Sequence, residues 1–202
     1  MIRMSVSDLE SYRYWKDSDD SEMPDLLRKL RHQDPPTMQM EAGRAFAKVF
    51  ERLKHDVAET ATEDGWTFDF TALDQEINLS PVRELKGEVS LSTPSGPVTL
   101  VGKVDGLSGL VVHDQKLTER FDAERYLDSL QWRAYLWMFG ATKFVYDVFV
   151  GKYEDDVVRI REYHRLAFYT YPKVAEDIQK AVEELAAVIA ANAPDLVKED
   201  AP

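Results

Sequence analysis

The sequence predicts a single α/β (α+β) domain with a mixed central β-sheet flanked by helices. Three observations predict it. Apolar residues recur at helical spacing in some stretches and alternate in others, and the order runs helix, strands, helix, strands, helix. No internal repeat, low-complexity segment or linker interrupts the chain. Its 202 residues suffice for one sizeable core.

The elements follow in order. Ser7 or Asp8 can cap a short helix to about Lys16, with Leu9, Tyr12 and Trp15 along one side. A polar loop precedes a short helical piece, "LLRKLRHQ", stopped by Pro35 and Pro36. These residues, 1–37, read as an N-terminal helical extension. Residues 38–62 carry Phe46, Val49, Phe50, Leu53 and Val57 at three- and four-residue spacing, a helix ended by "TEDGW". Residues 66–80 and 82–93 read as strands, with a turn at "PSGP". "VTLVGKVDGL" and "GLVVHDQKLT" read as a hairpin turning at 106–109. Asp122 opens a helix to about Phe139, ended by Gly140. Two strands follow, then a helix from Pro172 to about Ala193, and residues 193–202 read as a frayed tail.

Composition excludes several classes. There is no cysteine, hence no disulfide, zinc–thiolate site or iron–sulfur cluster. No apolar run reaches the roughly 18 residues of a membrane span, and the N-terminus lacks a signal-peptide core, so a cytoplasmic location is expected. The 25 lysines and arginines stand against 37 acids, a net charge of −12 that argues against non-specific coating of nucleic acid. The charge is uneven: Arg28, Lys29, Arg31, Arg44, Lys48, Arg52 and Lys54 form a basic strip, which reads equally as solvated helix faces of mixed charge.

The chemistry-bearing stretch is "GKVDGLSGLVVHDQKLT", 102–118. Asp114 and Lys116, two apart on a strand, face one side. Asp105 ends the preceding strand and lies across the hairpin from Asp114. Two carboxylates and a backbone carbonyl make a hard oxygen site suited to Mg2+ or Mn2+. The ion would offset the repulsion between the acids, and Lys116 would stabilise charge on a phosphate. The plainer reading is a turn-capping Asp105 and a surface Asp114–Lys116 ion pair.

This stretch resembles the core of the PD-(D/E)xK nuclease superfamily, in particular its RecB/Cas4-like exonuclease branch, which also occurs in phage. "LDSLQWRAYLWMFGA" resembles the branch's Gln-x-x-x-Tyr helix, "MSVSDLESYRYW" its N-terminal helix, and "GRAFAKVFE" its glycine-led first core helix. The resemblance implies a restriction-endonuclease-like core. It makes Asp105 and Asp114 metal ligands, the carbonyl of Gln115 a third, and Lys116 the catalytic lysine. It puts Gln131 and Tyr135, neighbours one helical turn apart, at the site's border, touching DNA or ordering Lys116. Without the resemblance, those two read as a polar edge beside an apolar stripe. Many members of the branch carry a histidine ligand where this chain has Ala47, and others hold an iron–sulfur cluster that this cysteine-free chain cannot.

The expected function is a metal-dependent DNA nuclease, exonuclease-like, in recombination, repair or phage DNA processing, acting on single- or double-stranded DNA, with a recombination or replication protein as a further partner. Ala47 and the net charge motivate an alternative, a catalytically weak or inactive nuclease-fold protein that binds DNA or protein. A plain partner-binding α/β protein is the third. His32, His55, His113 and His164 show no metal-ligand spacing, and His113 alternates away from Asp114. Glu76 and Glu88 read as solvated strand residues near the site; Tyr126, Trp132, Trp137 and Phe139 read mostly as core, with Tyr126 or Trp132 as candidate base-stacking rings.

Overall fold

A computed structural model describes residues 1–53, 59–74, 77 and 79–197. The predicted class is what the chain adopts: an eight-stranded mixed sheet with helices on both faces. The strands are β1 (Ile2–Ser5), β2 (Thr60–Glu63), β3 (Trp66–Asp69), β4 (Val82–Thr93), β5 (Gly96–Ser108), β6 (Val111–Thr118), β7 (Lys143–Glu154) and β8 (Val157–Tyr169). The helices are α1 (Val6–Lys16), α2 (Met23–Leu30), α3 (Met38–Arg52), α4 (Glu124–Leu127), α5 (Leu130–Met138) and α6 (Val174–Asn192). The strand order is β1-β5-β6-β7-β8-β3-β2, with β4 beside β5.

β7 explains the sheet's centre. Phe144 to Gly151 is buried without interruption, the pattern of a strand covered on both faces. One face packs on α1, α5 and α6 through Leu9, Leu136, Tyr146, Ile178 and Leu185. The other packs on α3, where Phe46 and Phe50 meet Phe149 with ring centroids 5.0 and 5.2 Å apart.

Several boundaries differ from the sequence reading. The N-terminal extension begins with a strand: β1 pairs in parallel with β5, from Ile2↔Val98 to Ser5↔Val101. Ser5, not Ser7 or Asp8, caps α1; it accepts from the Asp8 N–H at 3.1 Å while Asp8 accepts from the Ser5 N–H at 2.7 Å, a reciprocal box that satisfies two end donors. α3 stops at Arg52, and Thr60–Glu63 forms a hairpin with Trp66–Asp69 through Asp64 and Gly65, both left-handed (φ 47° and 83°). Val57 lies outside the described residues. The strand expected over 66–80 ends at Asp69. The expected helix from Asp122 is two, because Ser129 caps α5 by accepting from the Gln131 N–H at 3.1 Å. Within the expected tail, Pro194–Leu196 forms a 3-10 turn and Val197 bridges to Ile2.

One feature of the topology positions the site. β4 runs along one edge of β5 from Gly96 to Leu107, so β1 and β6 share the other edge. β1 takes Val98–Val101 and β6 takes Gly106–Ser108. Between them, among the described residues, Gly102–Asp105 has no partner strand on that edge, and the Lys103 carbonyl accepts from the Tyr135 hydroxyl instead.

Candidate active site

Asp105 stands at the end of this gap. The hairpin turns at Gly109 (φ 59°) rather than at 106–109, with Gly106↔His113, Leu107↔Val112 and Ser108↔Val111 in register. One step further the register sets Asp105 opposite Asp114, and opposite residues of an antiparallel pair share a face. There the ladder opens. The Gln115 N–H donates to Asp105 Oδ2 at 2.8 Å. A carboxylate thus takes a main-chain donor and parts the strands, while β6 continues in parallel with β7, Asp114 beside Tyr146.

Asp114 is only 3% exposed. Its Oδ1 accepts from Gln131 Nε2 at 2.9 Å. Its Oδ2 lies 2.7 Å from Lys116 Nζ, but off the hydrogen-bonding direction, so this buried oxygen has charge beside it and no directed donor. Lys116 Nζ also stands 5.8 Å from the Tyr146 ring centroid. Behind it, the Tyr146 hydroxyl donates to Gln131 Oε1 at 3.4 Å and lies 3.1 Å from Ser129 Oγ, which donates to Glu10 Oε2 at 3.2 Å. The chain Glu10–Ser129–Tyr146–Gln131–Asp114 fixes the carboxylate's orientation.

The electrostatics are unbalanced. Burial, then the charge of Asp114, pushes the Asp105 carboxyl up to about 7, with Lys116 and the Gln115 N–H opposing. Burial also raises Asp114, against the pull of Lys116. Burial is the largest single influence and disfavours the Lys116 ammonium, yet the charges of Asp114, Tyr146 and Asp105 together outweigh it, and the lysine is held well above its ordinary value. Two carboxylates therefore share one cation. Among the described residues no three His, Cys, Asp or Glu side chains gather as a cluster. A hard divalent ion nonetheless fits Asp105, Asp114 and the Gln115 carbonyl, because it supplies the charge the pair lacks to oxygen donors that suit it. In a strand the N–H and C=O of one residue point the same way, so the Gln115 carbonyl faces the edge on which its N–H meets Asp105.

Tyr135 sits differently from the expectation that it touch DNA. It is 5% exposed and its hydroxyl donates to the Lys103 carbonyl at 2.9 Å, filling the partnerless edge of β5. Its ring needs Gly102, where a Cβ would stand 2.5 Å from Tyr135 Cε1. Burial leaves Tyr135 holding the strand that carries Asp105, and it leaves Gln131 holding Asp114 rather than Lys116.

Ala47 lies half-buried on α3 and lines a cavity of about 630 Å³ with Glu51, Glu84 and Lys103, two residues before Asp105. Glu84 was not among the expected residues. It ion-pairs with Lys103, and its left-handed backbone (φ 55°) interrupts the β4–β5 register opposite Asp105. No sequence pattern marks such a break. Glu51 was readable, one turn after Ala47 on the same helix face.

The remaining candidates fall elsewhere. His113 lies on the opposite sheet face, as its alternation predicts, with Nδ1 2.8 Å from Asp147 Oδ2. His164 stacks on Phe121 at 4.0 Å, and His32 is exposed. Glu88 is exposed and meets Arg3 at 3.4 Å. Trp132 packs on Phe168 at 4.8 Å. Lys54, His55 and Glu76 lie outside the described residues. The basic strip is largely neutralised locally: Arg28 pairs with Asp25 and Asp34, Arg31 with Asp195, Lys48 with Asp64 and Arg52 with Glu63.

No protein-family model and no curated sequence matches the chain. The crystal structure of SSO0001 superposes with a TM-score of 0.53 at 13% identity, covering 98% of this chain and 89% of that one. That likeness is one of fold. A crystal structure of LHK-Exo, an alkaline exonuclease from Laribacter hongkongensis, gives a TM-score of 0.44 at 12% identity. Its complex with dAMP gives 0.46 at 13%. Each covers 93% of this chain and 88% of the other.

Proposed function

We propose that this chain is a divalent-metal-dependent nuclease that hydrolyses phosphodiester bonds of DNA. The observation that carries the reading is the convergence of Asp105, Asp114 and Lys116 on one face, with two buried carboxylates short of positive charge. A Mg2+ or Mn2+ ion bound there would polarise a phosphate and lower the pKa of a water. The protein's own part follows from its geometry. Asp105 and Asp114 would hold the ion, with the Gln115 carbonyl as the third donor. Gln131 fixes Asp114 through Oδ1 and leaves Oδ2 free of directed donors. Lys116, with Nζ 2.7 Å from Asp114 Oδ2, is placed to act as a charge stabiliser for the phosphate. The resemblance to the RecB/Cas4-like branch supports an exonuclease-like action in recombination, repair or phage DNA processing.

The test is cleavage of end-labelled single- and double-stranded DNA, with Mg2+, Mn2+ or EDTA, by wild type and Asp114→Asn. Wild type should cut only with metal and Asp114→Asn should lose at least about a hundredfold of the rate; cutting by both proteins in EDTA would overturn the proposal. A second reading rests on Ala47, which offers only a methyl group to the cavity beside Asp105. It is a nuclease-fold binding module, and it predicts DNA binding with no cleavage under any metal.

A further inference from the structure

Strand β4 leaves one edge open. It pairs with β5 along one side, and among the described residues no strand pairs with the other. Its 12 residues make it about twice the length of a common strand, and a long open edge is a template for another strand. The turn into β5 fixes which groups that edge offers. Pro97 stands opposite Ser92 and has no N–H to give. The main-chain groups of Ser92 therefore point away from β5, and its carbonyl accepts from Gln179 Nε2 at 3.1 Å. Alternation puts the N–H and C=O of Lys86, Glu88 and Ser90 on the same outer edge. The side chains of Lys86 and Glu88 share a face as well. Gly87 turns toward α5, where a Cβ would stand 2.8 Å from Phe139 Cζ. Lys86 and Glu88 lie on the opposite face, both exposed.

The charges on this edge select the strand that fits it. Lys86 stands opposite Lys103 in the β4–β5 ladder. Lys103 is held by Glu84, and among the described residues Lys86 forms no ion pair. Glu88 meets only Arg3, at 3.4 Å, through side chains 65% and 50% exposed. An antiparallel copy of β4 turned about Gly87 sets Lys86 opposite the partner's Glu88, and Glu88 opposite the partner's Lys86. These residues carry the outward main-chain groups, so each opposed pair exchanges both hydrogen bonds. Leu85 and Val89 come opposite the partner's Val89 and Leu85. Turning about Lys86 or Glu88 instead would put like charges face to face, which is destabilising. We propose that β4 is the seam of a homodimer, in which two copies of this chain join edge to edge about Gly87 into one continuous sheet. The inference makes no use of the nuclease reading and stands or falls apart from it.

Sedimentation equilibrium of the full chain, from micromolar to near-millimolar concentration, tests it. Wild type should approach twice the 23.2 kDa mass of one chain. Lys86→Glu and Glu88→Lys, both at exposed positions, each set like charges across the seam and should weaken association by about tenfold or more. Mixing the two single variants sets opposite charges across the seam again and should recover a dimer of one copy of each. The double swap, Lys86→Glu with Glu88→Lys, should recover it within one chain. A loss of folding would permit neither recovery. Ser90→Pro removes an outward N–H that the β4–β5 ladder does not use, a change an edge strand tolerates, and it should weaken the dimer as well. A monomer at every concentration would overturn the seam and leave the edge open to a strand of another protein. A dimer indifferent to both single reversals, or losses that neither mixing nor the double swap restores, would overturn it too.

Discussion

The Gln131 side-chain amide donates to Asp114 Oδ1 at 2.9 Å, joining helix α5 to strand β6 across the face that carries Lys116. A buried carboxylate held by an amide keeps its charge without losing its orientation. Gln131→Met preserves volume and helix propensity but leaves that oxygen without a donor. Metal affinity, measured by titration calorimetry with Mn2+, should fall by about 10- to 100-fold, and stability by about 1–3 kcal/mol. Wild-type affinity in this variant would mean that Gln131 does not position the site.

Asp105 predicts a pH dependence. Its carboxyl sits at about 7 in the fold, raised first by burial and then by Asp114, against about 3.9 in an unfolded chain. Between these values the folded state holds a proton that the unfolded state has released. Stability from this group is therefore full below about pH 4 and is lost as pH rises through about 7. In EDTA, the Tm of wild type minus that of Asp105→Asn should decline across this window and level off above it. A flat difference would contradict the raised value.

Mn2+ should raise the Tm of wild type, since a ligand that binds only the folded state stabilises it by mass action. Asp114→Asn should remove most of that rise. Equal rises in both proteins would place the ion elsewhere. The rise should also grow with pH through about 7, as Asp105 releases its proton to solvent and its carboxylate becomes available to the ion.

Gly102→Ala tests the packing behind the site. Its Cβ would stand 2.5 Å from Tyr135 Cε1 and 3.1 Å from Val6 Cγ2. Overpacking of this kind costs about 1–3 kcal/mol. Urea denaturation should show a lowered midpoint with an unchanged slope, and Tyr135→Phe should show a smaller loss, of about 1 kcal/mol, from the bond to Lys103. A Gly102→Ala protein as stable as wild type would mean that the ring moves freely.

The parts of this architecture that were legible in the sequence are those set by local periodicity. Alternation put Asp114 and Lys116 on one face and His113 on the other, and the hairpin brought Asp105 to Asp114. The helix over 38–62 was overrun because Thr60, Ala61 and Thr62 take their structure from pairing with Trp66–Asp69, a partner that helical spacing does not reveal. β1 was missed because four residues beside a capping serine carry little pattern, and its register depends on β5, far along the chain. Tyr135 was placed at the site's border by the resemblance of its helix to a Gln-x-x-x-Tyr helix. Its burial follows from the partnerless edge at Lys103, which only the three-dimensional order of β1, β5 and β6 creates.

Ala47 presents a methyl group to the cavity shared with Glu51, Glu84 and Lys103. At about 630 Å³ that cavity has room for an imidazole, and a histidine costs a helix under about 1 kcal/mol in propensity. Ala47→His should therefore fold. If this helix face is directed at the ion held by Asp105 and Asp114, the ring adds a nitrogen donor. Such a donor strengthens manganese binding more than magnesium binding, because Mg2+ prefers oxygen. Calorimetric titration of both metals into wild type and Ala47→His should show tighter Mn2+ with little change in Mg2+, and Mn2+-dependent cleavage should rise in step. The ion pair between Glu84 and Lys103 supplies an internal control. Glu84→Gln releases Lys103 in the same cavity without adding a donor, so it should not reproduce the manganese preference. A folded Ala47→His protein with unaltered affinity for both ions would show that α3 faces the cavity but not the metal.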